Sequence, residues 1–209
     1  MFNTFLSNPI LAIVYLAVLL FVIAIHEFAH AKVADYFGDP TAKISGRLTL
    51  NPMAHVDLYG ILFLIFFGFG WGKPVPVDSY NLKNPKKELA IISLAGPGSN
   101  LIMLLLSSVL LKLLVYLQLP FITAIGTTFL TIFIQLNIIL GVFNLLPIYP
   151  LDGFKIVAGL LPDDKVGDWY GLEKYGIIFL ILLLIPLGGK SMIDMFLSPV
   201  VSYLYNFFI

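Results

Sequence analysis

The sequence predicts an all-α polytopic membrane protein of about five transmembrane helices, with a short re-entrant or β-hairpin insertion after the first helix. Composition gives the first two reasons. The chain of 209 residues is 59% hydrophobic and only 11% charged, whereas soluble domains carry about 25% charged residues. Its mean hydropathy is +0.97. The third reason is that long apolar stretches, separated by short polar ones, recur along the whole chain.

Five of these apolar stretches are near the length of about 20 residues that a helix needs to cross a bilayer. They lie at about Asn8–Phe37, Glu88–Leu117, Phe121–Leu145, Gly171–Leu187 and Ser191–Phe208. We therefore predict a transmembrane helix in each, the last two being shorter than the others.

The insertion after the first helix is a short apolar patch with polar flanks. The patch, Ile61–Phe69, is too short and too rich in glycine to span, and we read it as a re-entrant or interfacial segment. Its flanks, Lys43–Leu50 and Gly72–Val77, are predicted to be extended strands. Proline alternates with valine in the second flank, which restricts it to an edge strand or an extended loop. Such an edge could pair with an extended peptide by strand addition.

The charges orient the chain and limit its partners. The basic residues after the first and third helices and around the short patch share one face, which the positive-inside rule makes cytoplasmic. They are Lys32, Lys43, Arg47, Lys73, Lys83, Lys86, Lys87, Lys155 and Lys165. The formal net charge of zero gives no support for a nucleic-acid partner, and we expect none. The chain has no cysteine, so a metal would be bound by His, Asp or Glu.

The chemistry of the chain centres on residues 26–30, which read HEFAH and match the HExxH pattern. Histidines at positions i and i+4 lie on one face of a helix and can bind one zinc ion. The glutamate between them can act as a general base on zinc-bound water. No charged residue occurs in Pro9–Ile25, so the motif is predicted to lie within the bilayer, where ionisable groups are costly and indicate function. The alternative is a chance match in which His26 and His30 only hydrogen-bond within the bundle.

A catalytic zinc usually has a third protein ligand, and Asp152 is the best candidate. Asp152 follows the third predicted helix, which the prolines at 147 and 150 bring to an end. The first and third helices run in the same direction, so Asp152 and the two histidines should reach the same leaflet. The alternative is that Asp152 serves only as the N-cap of a following helix.

On these motifs the chain resembles the site-2 protease family of intramembrane zinc metalloproteases, over about residues 20–160. The segments 26–30 and 151–153 match the two metal motifs of that family. The segments 46–52, 72–77 and 94–100 look like its small prokaryotic members, which lack PDZ and CBS domains. The resemblance implies that His26, His30 and Asp152 bind one Zn²⁺ per chain and that Glu27 is the general base. Asn144 matches a position that the family is thought to use for contact with the substrate or the oxyanion.

Several other polar and glycine positions can be given a structural role, and one of them has a functional alternative. Asn144 either contacts the substrate or satisfies the backbone that the prolines interrupt. We read Asn100 as a residue that holds helices together and His55 as a surface histidine. The sequence Gly-Pro-Gly at 96–98 is read as a kink that lets helices approach or opens space near the metal.

These features predict a single integral membrane protease domain, 1–209, with a metal-site core at about 8–160 and C-terminal helices at about 171–209. The predicted function is hydrolysis of peptide bonds in or near transmembrane segments of membrane-anchored substrates, as in regulated intramembrane proteolysis. The predicted location is a prokaryotic inner or plasma membrane, with the active site toward the cytoplasm. The alternatives are a catalytically inactive scaffold or a metal-ion transporter. A homo-oligomer or a regulatory membrane partner is left open.

Overall fold

The computed structural model describes residues 7–67, 70–118, 120–187 and 190–209. In these ranges the chain is almost entirely helical. Its α-helices are α1 (Pro9–Tyr36), α2 (Thr41–Ile44), α3 (Leu58–Phe67), α4 (Pro85–Leu117), α5 (Pro120–Asn144), α6 (Asp152–Leu160), α7 (Asp163–Tyr170), α8 (Glu173–Leu184) and α9 (Met192–Phe208). Two 3₁₀ turns, Pro52–His55 and Ser79–Asn81, and one two-residue antiparallel pair, Pro186–Leu187 with Lys190–Ser191, complete the order.

Asparagine followed by proline starts two of the long helices. Asn8 accepts a hydrogen bond from the backbone N–H of Leu11, and Pro9 is the first residue of α1. Asn84 does the same for α4 through the N–H of Lys87. Proline suits the first helical position because its missing N–H would have no intrahelical partner there.

The long helices pack through their apolar side chains, with α4 contacting α1, α5 and α6. One cluster joins Val18 and Val22 of α1 to Phe133 of α5. A second joins Leu104 of α4 to Ile134 of α5. Helix α4 therefore lies between the helix that carries the HExxH motif and the helix that begins at Asp152.

The structure supports three of the five predicted membrane spans. Within the described residues, only Pro9–Tyr36, Pro85–Leu117 and Ile125–Asn144 are long and apolar enough to cross a bilayer. Helices α8 and α9 contain 12 and 17 residues, which is short of the length of about 20 that spanning requires. The prediction of five spans is therefore not confirmed for the last two apolar segments.

The β-hairpin predicted after the first helix is not found, and the strand predictions for its two flanks were wrong. Residues 43–50 begin inside α2 and continue as a turn at Gly46, whose φ of +67° ends the helix. Residues 72–77 have no strand partner, since side chains bind their backbone groups instead. The patch itself forms α3, a helix of 10 residues that is too short to span; Gly68 and Phe69 lie outside the described residues.

A buried carboxylate fixes the connection between α1 and this insertion. Asp39 is fully buried and accepts hydrogen bonds from Thr41, from Asn81 Nδ2 at 2.8 Å and from the N–H of Asp78 at 2.8 Å. Burial raises the pKa of Asp39, but the bonds from Thr41, Asn81 and Asp78 outweigh it and leave the pKa below its usual value. Asp39 thus ties the end of α1 to the segment that precedes α4.

We expect Asp39→Asn to lower the free energy of unfolding of the detergent-solubilised protein by about 1.5–3 kcal/mol, the usual contribution of a hydrogen bond to a charged group. The pKa of Asp39 in the folded protein lies below its value of about 3.9 in the unfolded chain. The stabilisation by Asp39 is therefore complete above the unfolded-state pKa, and it is lost as the pH falls through the folded-state pKa. The difference in melting temperature between wild type and variant should therefore narrow from neutral pH to about pH 3. A constant difference across this range would contradict the assignment.

Candidate metal centre

Helices α1 and α6 bring the three predicted ligands together. His26 and His30 lie one turn apart on one face of α1, and both are buried. Asp152 is the first residue of α6, and its Oδ2 lies 3.2 Å from the Nε2 atom of each histidine. The two Nε2 atoms are 3.0 Å apart. The predicted cluster is thus formed in the structure.

Hydrogen bonds on the far side of each ring fix the histidine tautomers. Nδ1 of His26 donates to Oδ1 of Asn100 at 2.7 Å, and Nδ1 of His30 donates to the backbone carbonyl of Ile92 at 2.7 Å. A neutral imidazole carries one proton, so both Nε2 atoms present lone pairs toward the centre. Oδ2 of Asp152 is buried and has no hydrogen-bond donor among the residues that the structure describes. Three lone pairs therefore converge at short range, an arrangement that a bound cation would stabilise.

The donor set fits Zn²⁺. Two imidazole nitrogens and one carboxylate oxygen are usual zinc ligands, and catalytic zinc sites keep a fourth position open. With bonds of about 2.0–2.1 Å, ligand atoms of a tetrahedral zinc site lie about 3.3–3.4 Å apart. The separations of 3.0 Å and 3.2 Å are close to that spacing.

Asn100 and Asn137 form a buried polar chain behind His26. Asn100 Nδ2 donates to Asn137 Oδ1 at 3.0 Å, and Asn137 Nδ2 donates to the carbonyl of Phe133 at 2.8 Å. The prediction that Asn100 holds helices together is confirmed by its bond to Asn137, and Asn100 also binds the ring of His26, a predicted metal ligand. Sequence reasoning missed Asn137. The signal was an asparagine within an apolar helix, which needs a polar partner in lipid.

We expect Asn100→Ala to weaken Zn²⁺ binding by about 10–100-fold, the usual effect of removing a partner that orients a metal ligand. The control is Ser107→Ala on the same helix, because the bonds of the Ser107 hydroxyl to described residues are to the Met103 and Leu104 carbonyls of its own helix. Chelator competition measures the zinc dissociation constant of each variant. Equal constants for wild type and Asn100→Ala would show that Asn100 does not orient His26.

Two glycines let other elements approach the centre. A Cβ atom on Gly96 would overlap His30 Nε2 and crowd the ring of His26, so Gly96 provides the space that the sequence suggested. A Cβ on Gly153 would overlap the carbonyls of Leu145 and Leu146 at the end of α5. Glycine at 153 therefore allows α6 to start directly against that end, with Asp152 directed at the histidines.

Glu27 is adjacent in sequence to His26, a predicted metal ligand, and its carboxylate has a defined partner. Its Oε2 accepts a hydrogen bond of 2.9 Å from the backbone N–H of Val75. The extended segment at 73–75 therefore lies directly against the predicted general base. This contact could not be predicted, since the two residues are far apart in sequence.

The remaining predicted positions have mixed outcomes. Asp152 makes no capping hydrogen bond and is not the N-cap of α6, so that alternative was wrong. Asn144 Nδ2 donates to the Leu140 carbonyl at 3.0 Å, and its role toward a substrate stays a prediction. His55 was wrongly read as a surface residue; it is 1% exposed, and its Nε2 donates to the carbonyl of Thr49.

Long apolar helices that carry a buried His–His–Asp cluster define an integral membrane protein with a candidate zinc centre. The model of peptidase family M50, the site-2 protease family, matches residues 118–185. The chain is 43% identical over 192 residues to "Putative zinc metalloprotease YwhC" of Bacillus subtilis, covering 90% of this chain and 88% of that protein. The chain belongs to peptidase family M50.

More distant relatives are longer than this chain. It is 32% identical over 167 residues to "Putative zinc metalloprotease Rip2" of Mycobacterium tuberculosis, covering 77% of this chain and 62% of that protein. The corresponding protein of Mycolicibacterium smegmatis is 30% identical over 194 residues, covering 86% of this chain and 72% of the relative. No solved structure matches this chain.

Proposed function

We propose that this protein is a zinc metalloendopeptidase that hydrolyses peptide bonds in or near transmembrane segments of membrane-anchored substrates. The convergence of the His26, His30 and Asp152 lone pairs beside Glu27 carries this proposal. The location of both histidines in an apolar helix long enough to span a bilayer favours a substrate that is itself in the membrane.

The residues of the site have separate roles in the proposed reaction. His26, His30 and Asp152 would hold Zn²⁺, which would supply Lewis-acid activation of a water molecule and of the scissile carbonyl. Glu27 takes the proton from the attacking water and passes it to the nitrogen of the leaving amine. Asn144 has a second Nδ2 proton beyond the one that bonds Leu140, and we assign it to the developing oxyanion.

The same reading gives a location and partners. The basic residues flanking α1 and α5 favour a cytoplasmic active site in a prokaryotic inner or plasma membrane. The relatives named above come from bacteria. Partners beyond the substrate helix and the lipid would be a second copy or a regulatory membrane protein.

Removing the metal tests the proposal. We expect purified protein in detergent to cleave a single-span model substrate, to stop after chelation, and to recover when Zn²⁺ is returned. Chelation removes the metal and leaves the Glu27 side chain unchanged. Returning Zn²⁺ should therefore be sufficient to restore cleavage.

Two results would contradict the proposal in different ways. Zinc-loaded protein that cleaves no member of a panel of single-span substrates, but binds them, would indicate the scaffold. Zn²⁺ uptake into proteoliposomes without cleavage would indicate the transporter. Uptake is disfavoured because the intramembrane ligands cluster at one place rather than along a path.

A further inference from the structure

The segment Lys73–Val75, here called the cover segment, is held by hydrogen bonds to its backbone. The N–H of Lys73 donates to the carbonyl of His55 at 2.9 Å. Nη2 of Arg47 donates to the carbonyls of Lys73 and Pro74, the latter at 3.2 Å. The N–H of Val75 donates to Glu27. Contacts with His55, Arg47 and Glu27 therefore fix the cover segment, and Glu27 is the predicted general base.

Arg47 is an unusual residue for a purely structural contact. It is 6% exposed, and in the described part of the chain it forms no ion pair with a carboxylate. Its Nε is buried without a hydrogen-bond partner. A buried cation with no counter-charge costs free energy, so a neutral residue would serve stability better. What Arg47 supplies is a donor group that binds two successive carbonyls of the cover segment.

We infer that Arg47 is a positioning residue for the proposed hydrolysis: it holds the cover segment so that the Val75 N–H orients the Glu27 carboxylate. The hydrogen bond from the Val75 N–H to Oε2 restricts rotation of the Glu27 side chain. A general base must be placed within hydrogen-bond reach of the proton it removes, so small misplacement is costly. This inference rests on the proposed function.

The cover segment also limits how a substrate can pair with this part of the chain. The N–H groups of Lys73 and Val75 and the carbonyls of Lys73 and Pro74 are already bound within the protein. Prolines at 74 and 76 have no N–H. A substrate strand must therefore use the remaining groups, such as the carbonyl of Val75, or lie across the segment without a regular ladder.

The test uses variants at both ends of the contact. Val75→Pro removes the N–H that binds Glu27, and Val75→Ala keeps it and serves as the matched control. We expect Val75→Pro and Arg47→Ala to reduce kcat by about tenfold to a hundredfold, with KM within about twofold of wild type. Arg47→Lys should recover part of the loss, since an ammonium donates to carbonyls but lacks the guanidinium fork. Zinc content should be unchanged in all of them, because no metal ligand bonds to the cover segment.

Hydrogen exchange of the Val75 amide gives a readout that is independent of turnover. The amide should be protected in wild type and exchange at least about tenfold faster in Arg47→Ala and in Glu27→Ala. Unchanged exchange, or a loss of activity with Val75→Ala equal to that with Val75→Pro, would overturn the inference. Faster cleavage by Arg47→Ala would also overturn it, since the cover segment would then block the site. Wild type that cleaves nothing would refute the proposed function, while exchange would still test the role of Arg47.

Discussion

Glu27→Gln should keep its zinc and lose cleavage of a single-span substrate by about 10²–10⁴-fold, the usual contribution of a general base. Glutamine has nearly the shape of glutamate, and its Oε1 can still accept the N–H of Val75. It cannot take a proton from water at neutral pH. His26, His30 and Asp152 are unchanged, so the metal should bind as in wild type.

The measurement pairs zinc content with a gel-based cleavage assay on the same preparation. Zinc in both proteins with cleavage only by wild type establishes Glu27 as the base. Loss of zinc from Glu27→Gln would mean that Glu27 supports the metal rather than the proton transfer. Equal cleavage by both proteins would remove Glu27 from the mechanism.

Gly96→Ala should lower zinc affinity and cleavage together. The added methyl group would overlap His30 Nε2 and crowd the His26 ring, so α4 or the histidines must shift. Overpacking a filled interior costs about 1–3 kcal/mol, which corresponds to a loss of about tenfold to a hundredfold in affinity. Zinc titration of the purified variants measures this loss.

Gly98→Ala is the matched control for Gly96→Ala. A Cβ on Gly98 meets nothing within 4 Å, so the same chemical change two residues away on α4 should leave zinc binding at the wild-type level. Alanine should also favour the helix slightly, since glycine is the poorer helix former. If both variants bound zinc equally, the close contact of Gly96 with the histidines would be refuted.

The sequence was sufficient to predict the three residues of the candidate metal site, because the prediction depends on local rules. His26 and His30 follow from helical periodicity, and Asp152 follows from its position at the proline-broken end of a helix that runs in the same direction as the first. The apolar composition determined that the chain is helical and lies in a membrane. Helix starts at Pro9 and Pro85 also follow from the asparagine–proline pairs before them.

The insertion between α1 and α4 was decided by tertiary contacts. Alternation of proline and valine at 74–77 predicted an edge strand, yet the backbone there is bound by Arg47 and Glu27. Strand propensity describes how well a residue fits beside a neighbouring strand. Other donors and acceptors nearby can bind the same backbone groups instead. His55 was misread for the same reason, since its burial depends on packing that its own loop does not reveal.

The sequence by itself therefore predicted the membrane setting, the candidate ligands and the candidate base, because composition and helical spacing fix which side chains share a face. Only the tertiary structure decided what surrounds them. Asn100 behind His26, Gly96 against both rings and Val75 on Glu27 are contacts between residues 48 to 74 positions apart. Such contacts depend on how the helices pack, and packing is set by the shapes of all the side chains between them.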